Sequence, residues 1–382
     1  MTESQRKSDG ARFFAGLLIS SVGGMTFTIG LIVFMMRAGF GLFQISIIIG
    51  LSRLIPIVAS TLLGDLADRT TAKTMVLCTE LAAGLSSIGI LWIWTREDHA
   101  YLPLAVFTVI RSVVLAIQSG SRNKLVKELS GDGYESNARN AVYFNKATQG
   151  AALFAGLLAW LAFEYINFES VIILDAATFF LNGIILLSLS GSGASSVAAG
   201  RSSPSITQKF KDLYHYNPRA SRLDVFLALA MMGTASFNTR LAADHQEWNP
   251  ILSVTFGLAV WVAGYLERSK LALKMGPSLW LFFGMSFTSL GFIPAGPGLV
   301  VMSFVKDTFY WILFHRITTA IQMDTPKEVI GSVSHARSAQ MVAILALGEL
   351  AVGAWQGVLP LSVDGLWRGM LCCAVGTALC VG

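Results

Sequence analysis

The chain has 382 residues, 54% of them hydrophobic and only 13% charged, with a net charge of +5 and a mean hydropathy of +0.61. Soluble domains carry about 25% charged residues, so this composition excludes an ordinary water-soluble domain. The basic residues are spread over the connections between apolar runs and form no single patch, which argues against nucleic-acid binding.

A hydrocarbon core about 30 Å thick takes about 20 apolar residues per helix. The pattern predicts twelve spans: 12–36, 42–63, 75–95, 101–120, 141–163, 168–190, 223–243, 250–266, 275–294, 297–314, 339–359 and 365–382. Met1–Gly10 is polar and has no cleavage site, and the apolar run after it is too long for a signal-peptide core, so it reads as a retained first helix. With a cytoplasmic N-terminus, the turns after even-numbered spans hold most of the basic residues, including Arg122–Lys146 and Arg201–Arg222. Arg37, Arg96, Arg240 and Arg368 are placed on the other side. The positive-inside tendency then puts both termini in the cytoplasm. The stretch 191–222 is Gly/Ser-rich and then basic, the composition of a linker with room for one surface helix. The implied organisation is a six-helix bundle over 1–190, a cytoplasmic linker over 191–222 and a second six-helix bundle over 223–382.

Between spans 2 and 3 lies a charged turn, Gly64-Asp65-Leu66-Ala67-Asp68-Arg69-Thr70-Thr71-Ala72-Lys73. It resembles the signature loop between helices 2 and 3 of the major facilitator superfamily, roughly G-x-L-a-D-R-x-G-R-K. The likeness rests on Gly64, Leu66, Ala67, Asp68, Arg69 and Lys73, and departs at Thr71 and Ala72, where the family usually has Gly-Arg. Asp175–Asn182 looks like the D-A-x-(T/S)-F segment of the branch that includes macrolide-efflux and enterobactin-exporter-like proteins, and Thr325–Arg337 resembles that branch's helix 10–11 connection. Two family features are eroded. Ala147–Gly156 keeps the small residues of the antiporter pattern without its proline, and the second-half copy of the loop near Gly264–Arg268 is degenerate. A trace of duplication pairs Asn137–Ala141, opening span 5, with His335–Ala339, opening span 11. The resemblance implies an all-α polytopic membrane protein of two six-helix bundles working by alternating access. Gly64, Asp65, Asp68, Arg69 and Lys73 would then form a gate at the cytoplasmic face.

A charge at the centre of a membrane helix costs about 2.5–3.5 kcal/mol on insertion scales, so such residues mark function or pairing. Arg53, Arg111, Lys306, Asp307 and Glu349 occupy such positions. Arg111 lies where the superfamily often has an Arg linked to proton transfer. Asp307 and Glu349, with Arg111, are the candidates for proton coupling; Arg53 and Arg111 are the candidates for holding an anionic substrate. Tyr310 and Phe314 follow Asp307 on one helix face and could line a cavity. The competing reading makes the five charges structural pairs. Adjacent residues sit about 100° apart on a helix, which predicts that Lys306 and Asp307 do not share a partner. Glu80 and Asp175 read as structural groups nearer helix ends. Cys78, Cys372, Cys373 and Cys380 lie in apolar runs without ligand spacing, and the histidines form no ligand pair, so no metal and no cofactor are expected.

The leading expectation is a monomeric inner-membrane (bacterial-type plasma-membrane) antiporter. It would export a small anionic or zwitterionic, siderophore-like molecule on the proton gradient, with protons, substrate and the lipid bilayer as its partners. A multidrug efflux pump and an uptake permease are the alternatives within the class. A membrane enzyme would need a Ser-His-Asp set, a His-rich box or a phosphate-cradling loop, none of which is present. A non-transporting receptor or scaffold has no use for costly buried charge.

Overall fold

In hydrocarbon no water is available to backbone N–H and C=O groups, so an apolar chain of this length satisfies them within helices. A computed structural model describes residues 3–96, 101–130, 147, 150–162, 165–190, 206–232, 248–266, 278–294, 296–325, 330–355 and 361–381, and no strand occurs among them. The helices are α1 (Glu3–Arg37), α2 (Leu42–Arg69), α3 (Ala72–Trp94), α4 (Tyr101–Ser130), α5 (Gly150–Ala162), α6 (Phe168–Leu187) and α7 (Ile206–Tyr216). They continue with α8 (Pro218–Ala230), α9 (Asn249–Leu266), α10 (Ser278–Leu290), α11 (Pro297–Asp324), α12 (Ile330–Trp355) and α13 (Leu361–Val381). Ser8–Arg37, Ala72–Trp94, Tyr101–Gln118, Phe168–Leu187 and Pro297–Ile321 are long and apolar enough to cross a membrane; Leu42–Ile57, Gly150–Ala162, Val254–Leu266, Ser278–Leu290 and Ala339–Ala351 are shorter apolar helices.

Several helices outrun their apolar stretches. α1 starts in the polar arm, α4 runs on through Arg122, α11 reaches Asp324 and α12 begins at Ile330. The charged segment expected as a turn is helical too: Gly64–Arg69 are the last turns of α2, and only Thr70 and Thr71 separate them from α3. Leu, Ala, Asp and Arg all tolerate helix, and no Gly or Pro follows until Thr71 stops the segment by capping α3, its side chain accepting from the Thr74 N–H. The first connection turns sharply at Gly39, whose φ of 85° favours glycine; Phe40 N–H donates to Met35 O and Gly39 N–H to Met36 O, closing α1. In the stretch expected as a linker, α7 forms and buries Leu213, with Phe210 packed beside it. The first copy of the suspected duplication, 137–141, lies outside the described residues; the second sits inside α12 and does not open it.

The chain divides into two compact units. One comprises Met1–Phe34 and Ile55–Ser203; the other comprises Met35–Leu54 and Pro204–Gly382. The division within α2 falls next to Pro56, the proline inside that helix. In unit 1, Phe13 and Leu17 of α1 pack with Val76 of α3, Leu125 and Leu129 of α4 and Leu186 of α6. In unit 2, Leu227 of α8, Phe283 and Phe287 of α10, Leu313 and Ile317 of α11, Ala336 of α12 and Cys372 of α13 form the core.

Helices α10 and α13 meet backbone to backbone. A Cβ added at Gly369 would stand 2.8 Å from Gly284 O and also strike the Thr288 hydroxyl; one at Gly284 would stand 2.7 Å from Gly369 O, and one at Gly365 would stand 2.7 Å from Phe287 O. Gly365 and Gly369 are four residues apart on α13, the small-residue spacing that lets membrane helices approach closely. Overpacking costs about 1–3 kcal/mol, and here backbone would have to move. Gly369→Val is therefore expected to lower the unfolding temperature in detergent by several degrees, while Gly10→Ala, which meets nothing within 4 Å, leaves it unchanged.

Candidate functional site: buried charge in each unit

Unit 1 holds two charged layers stacked along its helices. In the first, Arg111 of α4 reaches Asp175 of α6 through Nη2 (2.8 Å to Oδ1, 2.9 Å to Oδ2) and Nε (3.1 Å to Oδ2). The Ser87 hydroxyl of α3 donates to the same Oδ2 at 2.6 Å. The guanidinium carbon lies 4.2 Å from the Phe27 ring centroid and 5.4 Å from that of Phe179, so aromatic faces flank the cation. Asp175 is fully buried, and Arg111 nearly so. In the second layer, Glu80 Oε1 accepts from Arg122 Nη2 (2.7 Å) and Asn182 Nδ2 (2.6 Å). Ser20 Oγ accepts from the same two groups.

From the first layer to the second, α1, α3 and α6 advance or retreat by about two turns and α4 by about three: Phe27 to Ser20 on α1, Ser87 to Glu80 on α3, Asp175 to Asn182 on α6, and Arg111 past Gln118 to Arg122 on α4. Thus α1 and α3 run one way, and α4 and α6 the other. Asp175 and Glu80 are not minor groups near helix ends: they sit in the interior of α6 and α3 as partners of the two arginines. Carboxylate and polar residue recur two turns apart on both helices, a spacing visible in the sequence that single-residue inspection passed over.

Unit 2 gathers the remaining candidates. Arg53 of α2 meets Glu349 of α12, Nη1 to Oε1, at 3.3 Å; the arginine side chain is 35% exposed and the glutamate fully buried. Lys306 and Asp307 of α11, not expected to share a partner, pair with each other at 3.0 Å. The Lys306 ammonium also lies 5.6 Å from the Phe287 ring centroid. Tyr310 is within electrostatic range of Arg53, Asp224, Arg337 and Asp307, and its ring is 6.1 Å from that of Phe314. Phe314 lies 4.9 Å from the guanidinium carbon of Arg337, whose Nε and Nη2 both bond Asp224 Oδ1 and whose Nη1 bonds Thr318 Oγ1.

Arg368, which the charge pattern counts on the outer side and which falls at the start of the span 365–382, is fully buried in α13. Its Nε bonds Asp364 Oδ1 and its Nη1 bonds Ala230 O, covering a carbonyl that the end of α8 leaves open. Of the expected gate, the side chains of Gly64, Asp65, Asp68 and Arg69 lie outside the described ones. Lys73 donates to Leu189 O at 2.7 Å and reaches Leu187 O at 3.5 Å, so its charge meets the carbonyl end of α6. Arg12 donates to Ser188 O beside it. Among the described residues no group of His, Cys, Asp and Glu could hold a metal ion.

The model of the Major Facilitator Superfamily matches residues 12–349. No curated protein sequence matches the chain. Among solved structures, the nucleoside transporter NupG is similar at 11% identity and a TM-score of 0.72, covering 98% of each chain. A POT family transporter in complex with a thioalcohol-conjugated peptide aligns at 13% identity and a TM-score of 0.75, over 98% of this chain and 96% of its own. A bacterial homolog of the human lysosomal transporter Spinster, inward-facing and unoccupied, aligns at 11% identity and 0.66, over 100% of this chain and 96% of its own. At these identities the likeness is one of fold.

Proposed function

Because the chain belongs to the Major Facilitator Superfamily, and so is a multi-pass membrane transporter of a small molecule and not an enzyme, we propose that it is a proton-coupled exporter of a small organic anion working by alternating access. The observation that carries this is Arg53. Its guanidinium is partly exposed, and Glu349 engages it through one nitrogen. The Nε and Nη2 donors can meet a carboxylate, for which the planar fork is suited. The donors of Arg111, in contrast, are aimed at Asp175 and Ser87. Arg53 is therefore the substrate-binding residue, with Tyr310 and Phe314 as the neighbouring rings.

Glu349 and Asp307 are the coupling carboxylates. Glu349 bonds Arg53 and lies within electrostatic range of Arg368, Asp307 pairs with Lys306, and a proton taken up by either acid weakens its hold on the cation it bonds: Arg53 for Glu349, Lys306 for Asp307. Arg111 enters the cycle only when Asp175 lets it go. Residues Gly64–Lys73 serve as the cytoplasmic gate, in a bacterial-type inner membrane with both termini inside. Siderophore-like carboxylates are the favoured cargo; a lipophilic drug gains nothing from an exposed guanidinium.

Reconstitution in vesicles tests this. An imposed proton gradient is expected to drive counter-transport of carboxylate-bearing chelators, with proton flux that depends on the substrate. Flux with lipophilic cations alone would select multidrug efflux, and gradient-driven accumulation in the proton's own direction would select uptake. Substrate transport without proton movement would sink the coupling.

A further inference from the structure

Two carboxylates lie buried in unit 1, and they are satisfied to different degrees. Asp175 uses both oxygens: Oδ1 accepts from Arg111, and Oδ2 accepts from Arg111 and Ser87. Glu80 uses one. Its Oε1 takes both Arg122 Nη2 and Asn182 Nδ2, while Oε2, wholly buried, has no hydrogen-bond partner among the described residues. The neighbours repeat the pattern. Arg122 Nε, Asn182 Oδ1 and Gln118 Nε2 are buried with no hydrogen-bond partner among the described residues. An unmet polar atom in a low-dielectric interior costs about 1–3 kcal/mol, more when charged, so a network that only held helices together would tend to close on itself as the Asp175 network does.

We propose that Glu80 is a second proton site of the transporter, exchanging its single-nitrogen bridge to Arg122 for a proton on Oε2; this rests on the proton-coupled reading of the function. The step balances simply. A proton from the aqueous phase forms an O–H bond at Oε2, the carboxylate becomes neutral, and the ion pair with Arg122 weakens to a bond from the cation to a neutral carboxyl. Release of the same proton restores the pair. Protonation also turns an orphaned acceptor into a donor, which a carboxylate cannot be.

The groups facing Glu80 are Ser20 from α1, Arg122 from α4, and Asn182 from α6, with Asp175 of α6 within electrostatic range. The only cation bonded to Glu80 among the described residues is therefore Arg122, held by one nitrogen. Arg122 also links the layer to its surroundings, since its side chain is 12% exposed and that of Glu80 is fully buried. Loss of the bridge would free α3 from α4 at this level while the Arg111–Asp175 layer stays closed. Protonation and helix release are coupled at one layer and not at the other.

The full-length protein in lipid nanodiscs, titrated while its infrared difference spectrum is recorded, tests the site without any substrate. The expected result is a protonated-carboxyl band that rises and falls with pH in the unaltered protein, one component of which is lost in Glu80→Gln and persists in Glu349→Gln and in Asp307→Asn. Asn182→Ala, which removes one bond to Oε1, is expected to move the pH at which that band appears, and it serves if Glu80→Gln does not give monodisperse protein. Persistence of the whole band in monodisperse Glu80→Gln, or an unmoved band in Asn182→Ala, would overturn the proposal. The same preparations separate this failure from that of the function. A band lost in Glu80→Gln from a protein that moves no proton with any substrate leaves the site standing and removes the coupled-transport reading. Full proton-coupled flux in Glu80→Gln with the band intact does the reverse.

Discussion

Asp175→Ala is expected to cost this protein most of its stability, seen as a collapse in the yield of monodisperse protein and a large fall in its unfolding temperature. The residue is wholly buried and receives bonds from Arg111 and Ser87. Its removal leaves a guanidinium in the interior facing, among the described residues, the neutral Ser87 hydroxyl and the rings of Phe27 and Phe179, with no counter-charge in contact. Breaking a buried pair by removing one partner costs about 3–5 kcal/mol. Folded proteins hold only about 5–15 kcal/mol in total, so the loss is a large fraction of the whole. Attraction across the pair and the desolvation of both groups nearly cancel, which makes the double replacement informative. Arg111→Met with Asp175→Leu removes both charges and is expected to regain much of the stability that the single change loses. Should the two single changes simply add, with no recovery in the double, the two charges are not coupled and the layer is not a lock.

Glu349→Gln is expected to abolish gradient-driven transport, by at least about tenfold, while leaving substrate exchange in the absence of a gradient. The side chain keeps its shape, loses its charge and can no longer take up a proton. Arg53 is then permanently released, the state in which it can hold an anion. A charge-assisted bond is roughly twice as strong as a neutral one, so the balance between glutamate and substrate for Arg53 tips toward substrate. Tighter binding with lost coupling is the signature. Asp307→Asn frees Lys306 in the same way and is expected to show the same split. If both variants keep full gradient-dependent transport, the coupling carboxylates are elsewhere, and Glu80 becomes the first place to look.

How far the site was legible varies residue by residue. Arg53, Arg111, Lys306, Asp307 and Glu349 stood out because a charge interrupting an apolar run is visible in one dimension and costly wherever the run is buried. Their partners did not stand out equally. Asp175 lay inside a stretch noticed for its family likeness, and Arg122 was counted among the loop bases, since helix α4 continues past the apolar stretch that announces it. The charge pattern counts Arg368 only by its side of the membrane; that it is buried against Asp364, four residues away, is decided by packing. The pairing of Lys306 with Asp307 is not legible from helical angles, which describe Cβ directions about 100° apart and leave open where a long lysine stem ends.

The helical, many-pass character of this protein is a property of its sequence alone. It follows from run length and from the cost of unpaired backbone groups in hydrocarbon, and both are local. The apolar runs and the charges within them can be read without knowing any neighbour. Tertiary structure alone decided which charge answers which. Arg111 and Asp175 are 64 positions apart, Arg53 and Glu349 are 296 apart, and Arg337 and Asp224 are 113 apart. Those pairings depend on helix rotation and on which helices share a face, set by packing such as the Gly284–Gly369 contact between α10 and α13. The difference between a saturated Asp175 and a half-satisfied Glu80 belongs to that level as well, because it turns on the direction of single nitrogen atoms across four helices.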